Sequence, residues 1–337
     1  PYAAAPVSAD TQRLLRSIHA GPATPEQAGA WALADLADQA PGLADHASYR
    51  YLTTIYPPLA QAAFALAHWL APYSLDAWRF VLLCAELAGL AALLNLLRQV
   101  GANPLWCLLY WWNPVAVMQI AHAGHMDTLL VPALLVAVGA MARQQPYRAA
   151  AAITVAAGLK LWPLLLLPSI LSASGSRVRN AGALLFGATA SLALLWPQLR
   201  HAGSGDSGLN AFATEGVRNA CVYPWLLETL QAMGIAGEGI ARLCIVAVVG
   251  GLFLSFAFRG PANLRQWAAR WTTGTAALFL LAPTGYPWYF VWFLPLLCLW
   301  PFVPLLMLSA LLPLYYGLFV LDARQQSDVI RQGVLAI

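Results

Sequence analysis

Charged residues are scarce in this sequence of 337 residues, of which 9% are charged and 60% hydrophobic, and its mean hydropathy is +0.64. Soluble globular domains average roughly 25% charged residues, so the composition excludes that class and indicates an integral membrane protein. The apolar runs are long and lack the two-residue alternation of barrel strands, which favours an all-α, polytopic helical membrane fold. The sequence also lacks a basic patch interleaved with aromatic residues, so no nucleic-acid partner is expected.

Cysteine offers no framework for disulfides or metal binding. Four of the five cysteines lie inside apolar segments, and Cys221 lies in a polar loop. No CxxC spacing is present, and we expect neither a metal site nor a cofactor. The sequence also lacks an initiating methionine, since it begins at Pro1 and ends at Ile337 as a new apolar run begins. We therefore interpret it as a fragment that lacks a first membrane helix and part of a last one.

The apolar segments and the arginines between them predict the topology. The gaps between segments contain Arg98, then Arg143 and Arg148, Arg177 and Arg179, and finally Arg259, Arg265 and Arg270. Because such loops prefer the cytoplasmic side, the turn from His122 to Asp127 should be extracytoplasmic. The candidate spans lie at about 77–97, 104–121, 128–142, 182–198, 240–258, 271–283, 287–300 and 302–320.

Two segments must not cross the membrane if all the arginine loops share one side. The stretch at 57–70 is shorter than the roughly 20 residues that a span requires, so we expect it to enter without crossing. The segment 149–171 lies between two arginine pairs, so it should form two half-helices that turn near Lys160. Pro163 favours a break there because it removes a backbone donor. This arrangement places Lys160 on the same face as Asp127.

The polar regions define the domain organisation. Residues 1–56 combine Pro and Gly with short amphipathic stretches, which are typical of helices on a membrane surface. We therefore predict an extracytoplasmic loop over 1–56 and one transmembrane helical domain over 57–337, with a polar outer loop at 199–224. A third outer turn at 281–289 contains prolines and aromatic residues that suit a rigid wall at the interface.

Titratable side chains at the end of a membrane segment mark a candidate reaction cleft. His125 and Asp127 can each accept a proton, and we predict that both are catalytic. Lys160 is predicted to bind an anionic substrate group as a point charge, and Arg218 can offer a bidentate contact. Further substrate contacts are predicted for the polar or aromatic residues of the outer turns, which are Tyr56, Asn219, Trp288 and Tyr289.

Simpler explanations of the same residues stay open. Asp127 can cap the next helix, and Lys160 can extend to the membrane interface. His122, His125 and Asp127 are suitable metal ligands by type, although a structural site requires four. Tyrosines are also common in interfacial belts. Glu86, near the middle of its segment, is better explained by a buried polar network or a protonated carboxyl than by catalysis.

Four motifs together resemble the membrane mannosyltransferases of the GT-C superfamily, especially family 87, which uses polyprenyl-phosphate mannose, and its DUF2029 relatives. The motifs occur in the expected order across nearly the whole chain. They are Tyr56-Pro57-Pro58-Leu59, Asn113-Pro114 followed by His125-Met126-Asp127, Leu159-Lys160-Leu161-Trp162-Pro163, and Pro283-Thr284-Gly285-Tyr286-Pro287-Trp288-Tyr289.

The resemblance implies transfer of a sugar, and of mannose in particular, from a polyprenyl-phosphate donor to a lipid or glycan acceptor. It also implies a multi-pass protein of a bacterial-type plasma (inner) membrane, surrounded by membrane lipids and active at the extracytoplasmic face. Relatives of this kind carry a catalytic acidic residue in the first outer loop, which we expect to precede Pro1. Many also have a histidine where this chain has Tyr286. The alternative is a transporter or lipid flippase, which also uses broken helices and buried charges.

Overall fold

The computed structural model describes residues 52–205, 207–215, 217–235 and 237–317, together with Arg16, Ser17, Pro22, Thr24, Gln27, Ala28, Trp31 and Asp35. Most of the predicted surface loop at 1–56 therefore lies outside the described residues. Within the described ranges the chain is helical, and its β pairing is limited to one parallel bridge between Arg218 and Thr284. The α-helices of eight residues or more are α1 Pro58–Leu70, α2 Leu75–Gln99, α3 Val131–Ala142, α4 Pro146–Leu159, α5 Arg177–Leu199, α6 Gly208–Glu215, α7 Tyr223–Ala232, α8 Glu238–Ser255, α9 Leu264–Leu281 and α10 Val303–Leu311.

Three helices, α2, α5 and α8, are long and apolar enough to cross a membrane. A fourth span is possible if Pro114–His122 and Met126–Ala142, which meet at a bend of 106°, are counted together. These helices confirm the predicted all-α, polytopic membrane fold. They also match the spans predicted at 77–97, 182–198 and 240–258.

The predicted span 271–283 falls on the second part of α9, which is continuous to Leu281. Four other predicted spans were wrong as continuous α-helices. The segment 104–121 is divided into four short pieces, and 128–142, 287–300 and the described part of 302–320 each combine a 3₁₀ turn with a short α-helix. Proline explains most of these interruptions, because a proline lies in the first or second position of five of the eight pieces and has no N–H to donate. The pieces are Pro104–Cys107, Leu108–Trp111, Pro114–Ala116, the π-helical Val117–His122, Met126–Leu130, Pro287–Trp292, Leu294–Leu297 and Leu312–Tyr316.

The predicted break at Lys160 is present. Helix α4 ends at Leu159, Lys160 is extended (φ −155°, ψ 140°), and the 3₁₀ helix Trp162–Ser172 then returns along the bundle. Its second residue is Pro163, as the sequence led us to expect. Residues 146–172 therefore begin and end at the same end of the bundle.

The arginine loops gather at that end. Arg179 Nη2 donates to the carbonyl of Gln144 over 2.6 Å, and Arg265 Nη2 donates to the carbonyl of Val100 over 3.3 Å. Ser172 Oγ donates a 2.6 Å hydrogen bond to the carbonyl of Phe256, which directly follows α8. We call this the arginine end, defined by Arg98, Arg143, Arg148, Arg177, Arg179, Arg259, Arg265 and Arg270.

The opposite end, which we call the site end, gathers the starts of α1 and α2 with the turn before α3. Trp78 Nε1 donates to the carbonyl of Gly124 over 2.7 Å, and its ring lies 4.9 Å from that of Phe64. Gln198 Nε2, from the end of α5, donates to the carbonyl of Ile55 over 2.8 Å. Helix α1 has 13 residues and leads to α2 at the same end, as expected for a segment that does not cross.

Gly208 permits the close approach of α6 to the residues before α1. A Cβ at this position would lie 2.2 Å from the carbonyl oxygen of Thr53. We expect Gly208→Ala to destabilise the protein by about 1–3 kcal/mol, because backbone atoms must move to accommodate the methyl group. Thermal unfolding in detergent measures this effect. Gly205→Ala is the matched control, since its Cβ would meet open space. Equal melting temperatures for the two variants would contradict the prediction.

Candidate active site

Asp127 and Lys160 form an ion pair at the site end. Lys160 Nζ lies 2.5 Å from Asp127 Oδ1, and the side chains are 18% and 3% exposed, respectively. The same carboxylate oxygen accepts a 2.5 Å hydrogen bond from Trp292 Nε1. The expected proximity of Asp127 and Lys160 is therefore present. Asp127 does not cap the following turn, whose N-cap is His125 and has no side-chain cap bond.

Aromatic rings surround the ammonium group of Lys160. Its Nζ lies 4.1 Å from the ring centroid of Tyr289 and 4.8 Å from that of Trp292, within the range of cation–π attraction. Trp292 also stacks with Tyr289 at 4.3 Å and with Trp162 at 5.2 Å. The 3₁₀ segment Pro287–Trp292 supplies two of these rings, and the 3₁₀ helix after Lys160 supplies the third. The rings and Asp127 thus fix the position of the ammonium group.

His125 lies beside this pair within a stack of aromatic rings. Its imidazole is 4.0 Å from the ring of Trp288 at an interplanar angle of 18°, and Trp288 is 4.2 Å from Tyr286 at 8°. Burial lowers the pKa of His125, the Asp127 carboxylate opposes this shift, and the Lys160 ammonium adds to it. His125 is half-buried and is neutral at neutral pH, so it can accept a proton.

Tyr56 faces the same carboxylate from the residues before α1. Partial burial and then the charge of Asp127 raise the pKa of the Tyr56 phenol, which is 36% exposed. The Tyr56 phenol therefore stays protonated beside Asp127 and can donate a hydrogen bond.

Arg218 and Asn219 lie at the rim of the site. The Arg218 N–H donates to the carbonyl of Pro283 and its carbonyl accepts from the N–H of Gly285, each over 3.0 Å. Arg218 and Asn219 are exposed, and Asn219 has a left-handed backbone with φ 55°. The structure thus brings both residues beside the turn that leads to Trp288.

Glu86 forms the buried polar network that its position in the sequence predicted. The hydroxyl groups of Tyr110 and Thr128 donate hydrogen bonds to its carboxylate, and both of these residues are fully buried. Thr128 follows Asp127 directly, so the network supports the turn that carries Asp127.

Trp292, Trp162 and Tyr286 contribute rings to the site but were not among the side chains that the sequence predicted to bind substrate. A usable signal exists for Trp292, because aromatic residues recur at 286, 288, 289 and 292 within one proline-led turn. His122 is exposed on the outside of its turn. Among the residues that the structure describes, no three His, Cys, Asp or Glu side chains form a group suited to a metal ion.

The fold and the site define a helical membrane protein with a fixed cation and a proton acceptor at one end of its bundle. Residues 43–175 match a family model described as alpha-(1->6)-mannopyranosyltransferase, N-terminal domain. The matched range contains His125, Asp127 and Lys160 and covers less than half of the chain. The match supports a mannosyltransferase. No curated protein and no solved structure matched the chain.

Proposed function

We propose that this protein transfers mannose from a polyprenyl-phosphate-linked donor to a lipid or glycan acceptor at the extracytoplasmic face. The ion pair of Asp127 and Lys160 within its aromatic surround carries the proposal. The match over residues 43–175 supports the sugar and suggests an α-(1→6) linkage. The donor class and the GT-C family 87 assignment rest on the resemblance of the four motifs.

Lys160 is assigned to the phosphate of the donor. Its ammonium group is held in one position and the Lys160 side chain as a whole is 18% exposed, so it can stabilise the negative charge that develops on the departing phosphate. Asp127 holds this ammonium group and limits the cost of keeping it buried when no donor is bound. The exposed parts of Trp288 and Tyr56 are suited to contact the sugar, since aromatic residues combine an apolar face with a polar edge.

His125 is assigned as the proton acceptor. The acceptor hydroxyl oxygen attacks C1 of mannose, the bond from C1 to the phosphate oxygen breaks, and its electron pair leaves with polyprenyl phosphate. The hydroxyl proton passes to His125. The geometry favours His125 over Asp127 in this step, because Asp127 is 3% exposed and its Oδ1 already accepts two hydrogen bonds. Asp127 belongs to the catalytic centre by holding Lys160.

The two ends of the bundle support the proposed side of the membrane. Eight arginines lie at the arginine end, and the positive-inside rule assigns such an end to the cytoplasm. The site end then faces outward, where Arg218 and Asn219 are positioned at the rim to meet an acceptor. Clustering of the site at one end supports an enzyme over the transporter alternative, for which a site at the middle of the membrane is expected.

Transfer by the purified full-length protein tests the proposal. The donors to compare are polyprenyl-phosphate mannose, polyprenyl-phosphate glucose and GDP-mannose, each offered with a mixture of lipid and mannan acceptors. We expect labelled mannose to be transferred from the first donor alone and the product to be cleaved by an α-(1→6)-specific mannosidase. Transfer from GDP-mannose, or from none of the donors, would refute the proposed donor class.

The pH dependence of transfer should report His125. Because burial lowers the pKa of His125, the neutral base is fully present at neutral pH and is lost as the pH falls through that lowered value. We expect a nearly constant rate above neutral pH and an acid decline whose midpoint lies below the ordinary histidine pKa of about 6.5. The decline should approach tenfold per pH unit in a full pH–rate profile.

His125→Gln should lower the rate about 10²-fold or more and abolish the acid decline, since the general base is removed. His122→Gln is the matched control, because His122 is exposed three residues earlier and should leave the profile unchanged. A profile with the same acid decline in the His125→Gln variant would assign the proton acceptor to another group.

A further inference from the structure

The arginine end has no acidic counterpart. The sequence contains no Asp or Glu in 87–126, in 128–205 or in 239–321, ranges that include every loop of the arginine end. Among the described residues, no carboxylate forms an ion pair with any of the eight arginines. Two arginines at the site end differ, since Arg79 pairs with Asp76 and Arg242 pairs with Glu238. Within the part of the chain that the structure describes, the arginine end therefore carries a concentrated positive charge that no carboxylate neutralises.

Contacts within the protein hold three of these arginines in place without neutralising them. Arg179 and Arg265 donate to backbone carbonyls, and Arg270 donates to the carbonyl of Arg259. Arg270 also lies 5.4 Å from the ring centroid of Phe256 and 5.7 Å from that of Trp267, so aromatic faces support its guanidinium. The loops are thus fixed as a surface of positive charge.

Exposed apolar side chains alternate with these arginines. Phe258, directly before Arg259, is 87% exposed, and Val178, between Arg177 and Arg179, is 86% exposed. An apolar group beside a guanidinium suits a ligand that has an anionic headgroup and an acyl chain. A free phosphate or an acidic protein would leave these apolar groups in water.

We propose that the arginine end binds the headgroups of anionic phospholipids from the adjoining membrane leaflet. The guanidinium groups bind the phosphate oxygens, and Phe258 and Val178 insert among the first segments of the acyl chains. This site lies at the opposite end of the bundle from Lys160, so it does not depend on the proposed transfer reaction.

Lipid binding to the full-length protein in a neutral detergent tests the proposal. The probes are phosphatidylglycerol, phosphatidylcholine of the same chain length, and inorganic phosphate, with bound lipids counted by native mass spectrometry. The test variant is Arg98→Gln, Arg177→Gln and Arg259→Gln together, since these exposed arginines do not hold the loops to one another. The control variant carries Arg79→Gln, Arg200→Gln and Arg242→Gln, which make the same charge change at the site end.

We expect phosphatidylglycerol to bind in preference to the other two probes and the test variant to lose its affinity about tenfold or more, since each arginine near a membrane surface contributes to such binding. The control variant should bind like the wild type. Replacement of the same three arginines by lysine should retain most of the affinity, which separates loss of charge from loss of fold. Equal binding of phosphatidylcholine, equal losses in the two glutamine variants, or competition by inorganic phosphate alone would overturn the proposal.

Discussion

Lys160→Met should reduce mannose transfer by about 10²- to 10³-fold, the range seen when a group that stabilises transition-state charge is removed. The ammonium group of Lys160 is the cation that Asp127, Tyr289 and Trp292 hold in place at the site end. Methionine retains much of the side-chain volume and the contact with the rings but cannot stabilise the departing phosphate. Initial-rate kinetics with polyprenyl-phosphate mannose measure the effect.

Lys160→Arg serves as the matched control for charge. We expect it to retain part of the activity, because arginine keeps the charge but its planar guanidinium does not match a position shaped around an ammonium group. If Lys160→Met and Lys160→Arg lost activity equally, shape rather than charge at this position would matter. If Lys160→Met transferred mannose at the rate of the wild type, Lys160 would have no part in the reaction.

Asp127→Asn should be the most destabilising single substitution at the site, with a loss of about 3 kcal/mol in the free energy of unfolding. Removal of one member of a buried pair leaves the other charge uncompensated, which typically costs roughly 3–5 kcal/mol. The lower value applies because Lys160 is 18% exposed and water can partly solvate it. Denaturant unfolding in detergent, followed by tryptophan fluorescence, measures the loss.

The double variant Asp127→Asn with Lys160→Met is the decisive comparison for stability. It removes both charges, so most of the lost stability should return while transfer stays low. The destabilisation caused by Lys160→Met alone is the reference for this comparison. If the double variant were less stable than Asp127→Asn by that full amount, the two charges would not interact. The buried Glu86 network offers no substitute partner, since Glu86 is already bonded to Tyr110 and Thr128.

The position of the pair formed by Asp127 and Lys160 could be predicted from the sequence because charge and proline leave clear signals in an apolar chain. The arginine pattern required 149–171 to return to its starting side, and Pro163 marked where it turns. This reasoning predicts Lys160 on the same face as Asp127, and the structure places the two side chains in contact. Hydropathy also located α2, α5 and α8, since each is an uninterrupted apolar helix.

Four of the remaining spans were poorly predicted because hydropathy does not register helix breaks. Residues 104–122 are mostly apolar, yet they form four short pieces, two of which begin at Pro104 and Pro114. Trp292 donates a hydrogen bond to Asp127, which lies 165 residues earlier in the sequence. A local sequence pattern does not encode such a tertiary contact. The stack of His125 on Trp288 has the same origin, since it joins two turns that are distant in the sequence.

Affinity for polyprenyl monophosphate tests most directly the claim that Lys160 binds the lipid-linked phosphate. The measurement compares wild type with Lys160→Met and uses polyprenol, which lacks the phosphate, as the second ligand. We predict that wild type binds the phosphate at least about tenfold more tightly than Lys160→Met does, as expected for the loss of one charge-assisted contact. Polyprenol should bind both proteins equally. Equal affinity of the two proteins for polyprenyl monophosphate would contradict the assignment of Lys160 to the donor phosphate.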